Sequence, residues 1–196
     1  MATRKGSKPS RKPRLTRDKL LAKIAKHQVD LKKHPLIIVG IRGYYLNSMG
    51  AVGRNDRGIY DDALFIITPN TFASFNANTD PSSYRNKTSR RKGMATLKKG
   101  IYHSYRFDNH RTSRSNYPAI CQRAADVIVH RDGDSKLHKG MFGINIHRGG
   151  YSTTSSAGCQ TIPPPQWDAF YQLAKSEAKR LFGKNWKKVT IPYILL

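Results

Sequence analysis

The sequence predicts an α+β fold, with about seven short strands forming a β-rich core and helices gathered at the two ends of the chain. Three observations carry this. Short apolar runs with period-two alternation, separated by Gly, Pro and Asn turns, recur between Leu36 and His147. Apolar residues at helical spacing occur near the N-terminus, over Asp18–Lys33, and near the C-terminus, over Trp167–Phe182. No internal repeat and no strand–helix alternation of the kind that builds a wound parallel sheet is present.

Taken in order, residues 1–17 carry seven Lys or Arg, no acid, and Gly6, Pro9 and Pro13, which predicts a solvated, disordered arm. Residues 18–34 read as an amphipathic helix: Leu20, Leu21, Ile24, Ala25 and Leu31 fall near one face, and His34-Pro35 ends it. The folded body is then expected over 35–196. Leu36–Ile41 and Ala63–Thr68 read as buried strands. Pro69-Asn70 turns the chain into a partner strand over Thr71–Phe75. Residues 76–93 are long, polar and basic, hence a surface loop. Met94–Phe107 predicts two strands hinged near Lys98-Lys99-Gly100, followed by a basic polar loop over 108–116. Ala119–Ala125 reads as a short helix and Asp126–His130 as a strand stopped by Arg131-Asp132-Gly133-Asp134. Phe142, Ile144 and Ile146 alternate into a strand that ends at His147. A helix with Pro165 at its start and Gly183 past its end follows, and Lys187–Leu196 supplies a final strand.

Composition narrows the function classes. A 196-residue chain suits one domain with a sizeable core. The formal charge of +24 favours polyanionic partners: nucleic acid, an anionic envelope, or acidic wall polymers. Residues 1–17 would offer phosphate contacts without sequence reading. Two cysteines, Cys121 and Cys159, imply no disulfide framework. No apolar run reaches the roughly 20 residues of a membrane span, and the basic N-terminus leads into a charged segment instead of a secretory h-region. Delivery to a cell wall would therefore depend on something outside this chain, as in a virion or an infected host cell.

The stretch Gly143–Thr161 carries the chemistry. His147 emerges at a strand end, a Gly-Gly and hydroxyl-rich loop follows, and the chain turns through Ser156-Ala157-Gly158-Cys159-Gln160. A thiol beside flexible backbone with an imidazole nearby is the equipment of a cysteine nucleophile and its histidine base. A neighbouring imidazole lowers a thiol from its ordinary pKa near 8.5, making thiolate available. Gly158 allows a tight turn whose N–H groups, with that of Cys159, would stabilise an oxyanion. Cys121, among Ile120, Ala119 and Ala124, reads as an inert buried hydrophobe. His130, Asp132, Asp134 and His138 would make a zinc set only if His147 joined them. The Asp-Gly-Asp sequence is better explained as a turn, so no metal or other cofactor is expected.

His147, Ser156, Gly158 and Cys159, followed by a helix opening at Asp168-Ala169, resemble the L,D-transpeptidase catalytic domain family over about residues 142–182. Ala157 stands where that family usually carries a second histidine, Thr161 where an arginine often follows, and Cys159 lies only twelve positions after His147. The pattern is that of a divergent member of the type found in bacteriophage cell-wall lytic enzymes. The resemblance implies an L,D-transpeptidase-like sheet core with the C-terminal helix behind the cysteine. It also implies a peptidoglycan stem-peptide substrate and a Cys159 thioester acyl-enzyme, resolved by water in a peptidase or by an amine in a transpeptidase. His147 would be the base, its tautomer fixed by a carbonyl such as that of Arg148. Arg148, Ser156, Gln160, Arg131 and His130 are the candidate substrate-binding residues. The alternative expectation is a basic virion structural or nucleic-acid-binding protein that keeps a degenerate enzyme fold.

Overall fold

The structure is a computed structural model describing residues 9–113 and 115–196. Among the described residues eleven strands form two sheets: β1 (Ile37–Ile41), β2 (Asp62–Ile67), β3 (Phe72–Ala77), β4 (Ala95–Leu97), β5 (Gly100–Arg111), β6 (Asn116–Gln122), β7 (Val127–Arg131), β8 (Asp134–Gly140), β9 (Ile146–Arg148), β10 (Gln160–Ile162) and β11 (Ile191–Leu195). The helices α1 (Arg17–Ile24) and α2 (Pro164–Phe182) flank them. The large sheet has the order β10-β9-β6-β5-β11-β1-β2-β3, and the small one β4-β7-β8. Paired N–H···O bonds of 2.8 Å between Asn78 and Thr161 join the end of β3 to β10, so the large sheet curls almost into a barrel. The α+β expectation holds at this level.

Both faces of the central strands are apolar because both are covered. On the concave face Ile38, Leu64, Ile66, Phe75 and Tyr193 pack with Trp167, Phe170 and Ala174 of α2. The rings of Phe75 and Phe170 meet edge to face at 5.2 Å. On the convex face Ile37, Val39, Phe65 and Ile67 receive Leu20 and Ile24 of α1. Those two α1 side chains, 0% and 4% exposed, are worth roughly 1.5–3 kcal/mol each in buried apolar surface. Pro164 at the head of α2 fits a first turn whose N–H groups lack helical acceptors. Gly183, at φ +55, closes the helix with its N–H on the Lys179 carbonyl.

Four expectations are corrected. The first helix stops at Ile24 and continues only as a single 3-10 turn, Ala25–His27, because Gln28 enters the left-handed region and donates to the Ala25 carbonyl. Residues 119–122 are strand, not helix, since β6 finds backbone partners in β5 on one side and β9 on the other. The segment 108–116 is mostly strand: β5 runs to Arg111, β6 starts at Asn116, and the Thr112 N–H donates to the Ser115 carbonyl between them. Of the arm expected over 1–17, residues 1–8 lie outside the described residues, while 11–15 lie against the body. There Tyr44 Oη accepts from the Arg14 and Leu15 N–H groups, Tyr45 Oη donates to the Arg11 carbonyl, and Ser74 Oγ donates to that of Pro13. The expected turn at 131–134 is the β7–β8 hairpin.

Candidate active site

β9 and β10 are adjacent parallel strands, with Ile146 opposite Gln160 and His147 opposite Thr161. The Gln160 N–H donates to the Asn145 carbonyl at 2.8 Å, which extends this register back to Cys159 beside Asn145. Alternation then puts Cys159 and His147 on one side of the two strands, with Cα atoms roughly 8 Å apart from strand spacing and rise. The sequence places the two residues together for this reason: the glycine-rich loop 149–158 returns the chain parallel to the strand it left.

The imidazole is fixed. His147 is 4% exposed, and its Nδ1 lies 2.7 Å from the Arg148 carbonyl, to which it donates; Nε2 is therefore the lone-pair nitrogen. The Tyr117 hydroxyl is 3.1 Å from the same Nδ1 and donates to the same carbonyl at 3.3 Å. His110 stacks on the ring, with centroids 4.1 Å apart and planes 10° from parallel. Burial, with His110 beside it, pushes the imidazole down to about 4, and the Arg148 carbonyl opposes only part of this.

Cys159 keeps part of its surface open, but the sulfur is held by backbone. Sγ accepts from the Asn145 N–H at 3.3 Å and donates to the Gly143 carbonyl at 3.4 Å. Burial pushes the thiol up to about 11, with the Asn145 N–H pulling the other way. This corrects the expectation of a resting thiolate: the imidazole and thiol are both neutral, and the S–H points at a carbonyl. Cys121 is fully buried, and its thiol is pushed up to about 12.

The turn before the cysteine is built to one shape. Gly158 has φ +138, and a Cβ there would run into the Ala95 carbonyl, so no other residue fits. Its N–H donates to Ser156 Oγ at 3.0 Å, while Ser156 Oγ donates to the Cys159 carbonyl at 2.7 Å. The Gly158 donor assigned above to an oxyanion is thus already occupied, and Ser156 serves the turn. Gln160 faces the barrel interior, where its Oε1 accepts from Tyr193 Oη at 2.9 Å and its Nε2 reaches the Gly158 carbonyl. Arg148 is exposed, with its guanidinium 5.4 Å from the Tyr117 ring centre. Arg131 and His130 are not brought to the site. Their strand, β7, pairs with β4 and β8 in the small sheet, not with β9; Arg131 donates to the Gly93 carbonyl, and His130 faces solvent. Asp132 is clamped by Arg57 at 2.6 Å and Asp134 by Lys87 at 2.9 Å. Among the described residues no group of three His, Cys, Asp or Glu side chains is arranged for a metal ion.

Four residues not singled out from the sequence complete the site. Besides His110 and Tyr117 from the β5–β6 hairpin, Asn145 bonds His110 Nδ1 through Nδ2 at 3.0 Å and accepts from the Gln122 N–H through Oδ1 at 3.0 Å. Gln122 Oε1 accepts from three successive N–H groups, those of Phe142, Gly143 and Ile144, at 3.0–3.2 Å. Segment 141–145 is held this way instead of by a sheet ladder. The chain matches no family model, no curated protein and no solved structure. What it does must be argued from these contacts.

Proposed function

We propose that this chain is a peptidoglycan-degrading cysteine peptidase of L,D-peptidase type, acting on stem peptides through a Cys159 thioester. We place it among phage lysins or virion-associated lytic enzymes with an L,D-transpeptidase-like core. The observation that carries this reading is the tautomer lock: a carbonyl one residue away fixes the His147 proton on Nδ1, and the remaining nitrogen is a base on the same side as Cys159.

The chemistry follows from neutral partners. Rotation about the Cys159 Cα–Cβ bond breaks the contact with the Gly143 carbonyl and turns the S–H toward His147. Attack on the amide carbonyl transfers the thiol proton to Nε2 as the S–C bond forms, and the imidazolium returns it to the departing amine. Water then hydrolyses the thioester with His147 again as base. With the Gly158 N–H engaged by Ser156, the Cys159 N–H is the oxyanion donor the turn offers. The high positive charge would hold the enzyme on an anionic wall, with Arg148, at the rim, facing substrate carboxylates.

Cys159→Ala should abolish release of stem-peptide fragments from purified peptidoglycan while the thermal unfolding midpoint stays within a few degrees of wild type. Undiminished release from that variant refutes the reading. A second reading, a basic virion nucleic-acid-binding protein with a degenerate enzyme fold, is favoured by the raised Cys159 thiol together with the +24 charge. It fails if DNA binding is negligible at low salt with and without residues 1–17.

A further inference from the structure

We propose that His110 is a positioning residue of this site: by stacking on His147 and accepting the Asn145 side-chain N–H, it holds the base and the N–H that faces Sγ in one rigid arrangement. The role rests on the peptidase reading, but the arrangement is visible without it. His110 comes from β5, far from both Cys159 and His147 in sequence, and reaches them because the β5–β6 hairpin lies beside β9.

Two separate contacts converge on the ring. Its flat face covers His147 at 4.1 Å and 10°, closer and more parallel than its neighbour Tyr117, which meets His110 at 5.6 Å and 63°. Its Nδ1 accepts from Asn145 Nδ2 at 3.0 Å, so its own proton sits on Nε2. Asn145 is 5% exposed and is the hub of the connection, since its backbone N–H is the one that donates to Cys159 Sγ. The chain His110–Asn145–Cys159 therefore runs parallel to the chain His110–His147.

Such a residue must be flat and uncharged. When His147 takes the thiol proton it becomes a cation buried against the His110 ring. A neutral ring there stabilises the cation through its π face, whereas a second positive charge at that distance repels it. Burial and the nearby Arg123 both disfavour a proton on His110, and the other groups around it, Tyr117 and His147, are neutral at physiological pH.

The test compares His110→Phe, His110→Ala and His110→Lys in the full chain. Two readouts are used: the rate of Cys159 alkylation by iodoacetamide across pH 5–9, and the His147 pKa by NMR. Peptidoglycan release is measured beside them. Phe keeps the neutral flat face but gives up the acceptor for Asn145 Nδ2, and should slow alkylation by no more than about threefold. Ala should slow alkylation near neutral pH about tenfold or more, and Lys should lower the His147 pKa and slow peptidoglycan release furthest because it places a fixed charge beside the base. Equal alkylation profiles and an unchanged His147 pKa across all three variants would overturn the proposal. So would loss in Phe equal to that in Lys, because a merely space-filling or merely hydrogen-bonding role would not rank them by charge. Because alkylation needs no substrate, a wild-type protein that releases no stem peptides would sink the peptidase reading while leaving this ranking to be decided separately.

Discussion

At the scale of single residues, the site works by withholding charge. A histidine that is neutral down to about pH 4 remains a competent base at pH values where an ordinary imidazole, near 6.5, is already protonated. The acid limb of kcat/KM for stem-peptide release should therefore fall below pH 6, and a limb at 6.5 or above would contradict the burial of His147. The same group bears on stability with a definite sign. Its folded pKa lies below its unfolded value, so the unfolded chain binds more protons, and stability drains away as pH falls from about 6.5 toward 4. Gly158 is the other residue with no substitute. Gly158→Ala combines a positive φ with a Cβ driven onto the Ala95 carbonyl, and should cost about 2–4 kcal/mol in urea unfolding.

At the scale of elements, the decisive contact is between a strand and a segment that is not one. Gln122 at the end of β6 gathers the N–H groups of Phe142, Gly143 and Ile144 on one oxygen, and its Nε2 donates to the Gly140 and Ala125 carbonyls. Gln122→Leu leaves all of these groups without their partner and should destabilise the protein by about 2–4 kcal/mol. Hydrogen exchange should show protection lost first at residues 142–145, and Cys159 alkylation near neutral pH should slow as its Asn145 donor loosens. Elements of this kind mark the limit of sequence reading. The nucleophile turn was legible because Gly158 and Cys159 act through their own backbone and side chain. The core of α2 was legible because Trp167, Phe170, Tyr171 and Ala174 keep helical spacing. His110 and Tyr117 were not, because Asp108–Asn116 is polar enough to pass for a loop. The signal available was period two: Tyr105 and Phe107 alternate with Arg106 and Asp108, which extends the strand and sets His110 on the face of Arg106 and Asp108. Ala119–Ala125 was misread for the opposite reason, since short apolar runs fit either element until pairing with β5 and β9 decides.

At the scale of the whole molecule, a chain of net charge +24 buries carboxylates, while no Lys or Arg is fully buried among the described residues. Asp61 and Asp62 are each 0% exposed and Asp80 is 3% exposed, where the loop 42–61 returns to the end of the curled sheet. Asp61 and Asp62 fix loops. Asp62 accepts from the Gly43 N–H at 2.5 Å and the Thr79 N–H at 2.6 Å, and Asp61 accepts from the Asp56 N–H at 2.9 Å. Arg42 reaches Asp80 at 3.1 Å, yet Asp61 Oδ1 has no hydrogen-bond partner among the described residues. Burial first, and the neighbouring carboxylates after it, hold both Asp61 and Asp62 well above the ordinary carboxylate range. A group whose folded pKa is raised stabilises the fold fully below its unfolded value, near 4, and loses that stabilisation as pH rises through the folded value. This opposes the histidine effect: as pH rises from about 4 to 6.5 the contribution of His147 grows while those of Asp61 and Asp62 shrink. Asp61→Asn keeps an acceptor for the Asp56 N–H and removes the ionisation. Relative to wild type the variant should gain stability between pH 5 and pH 9, its unfolding midpoint falling less steeply because only Asp62 of the pair still ionises. A wild-type midpoint that rises steadily from pH 5 to 9, or an Asn variant that follows the wild-type slope, would mean that these buried acids are charged in the folded protein after all.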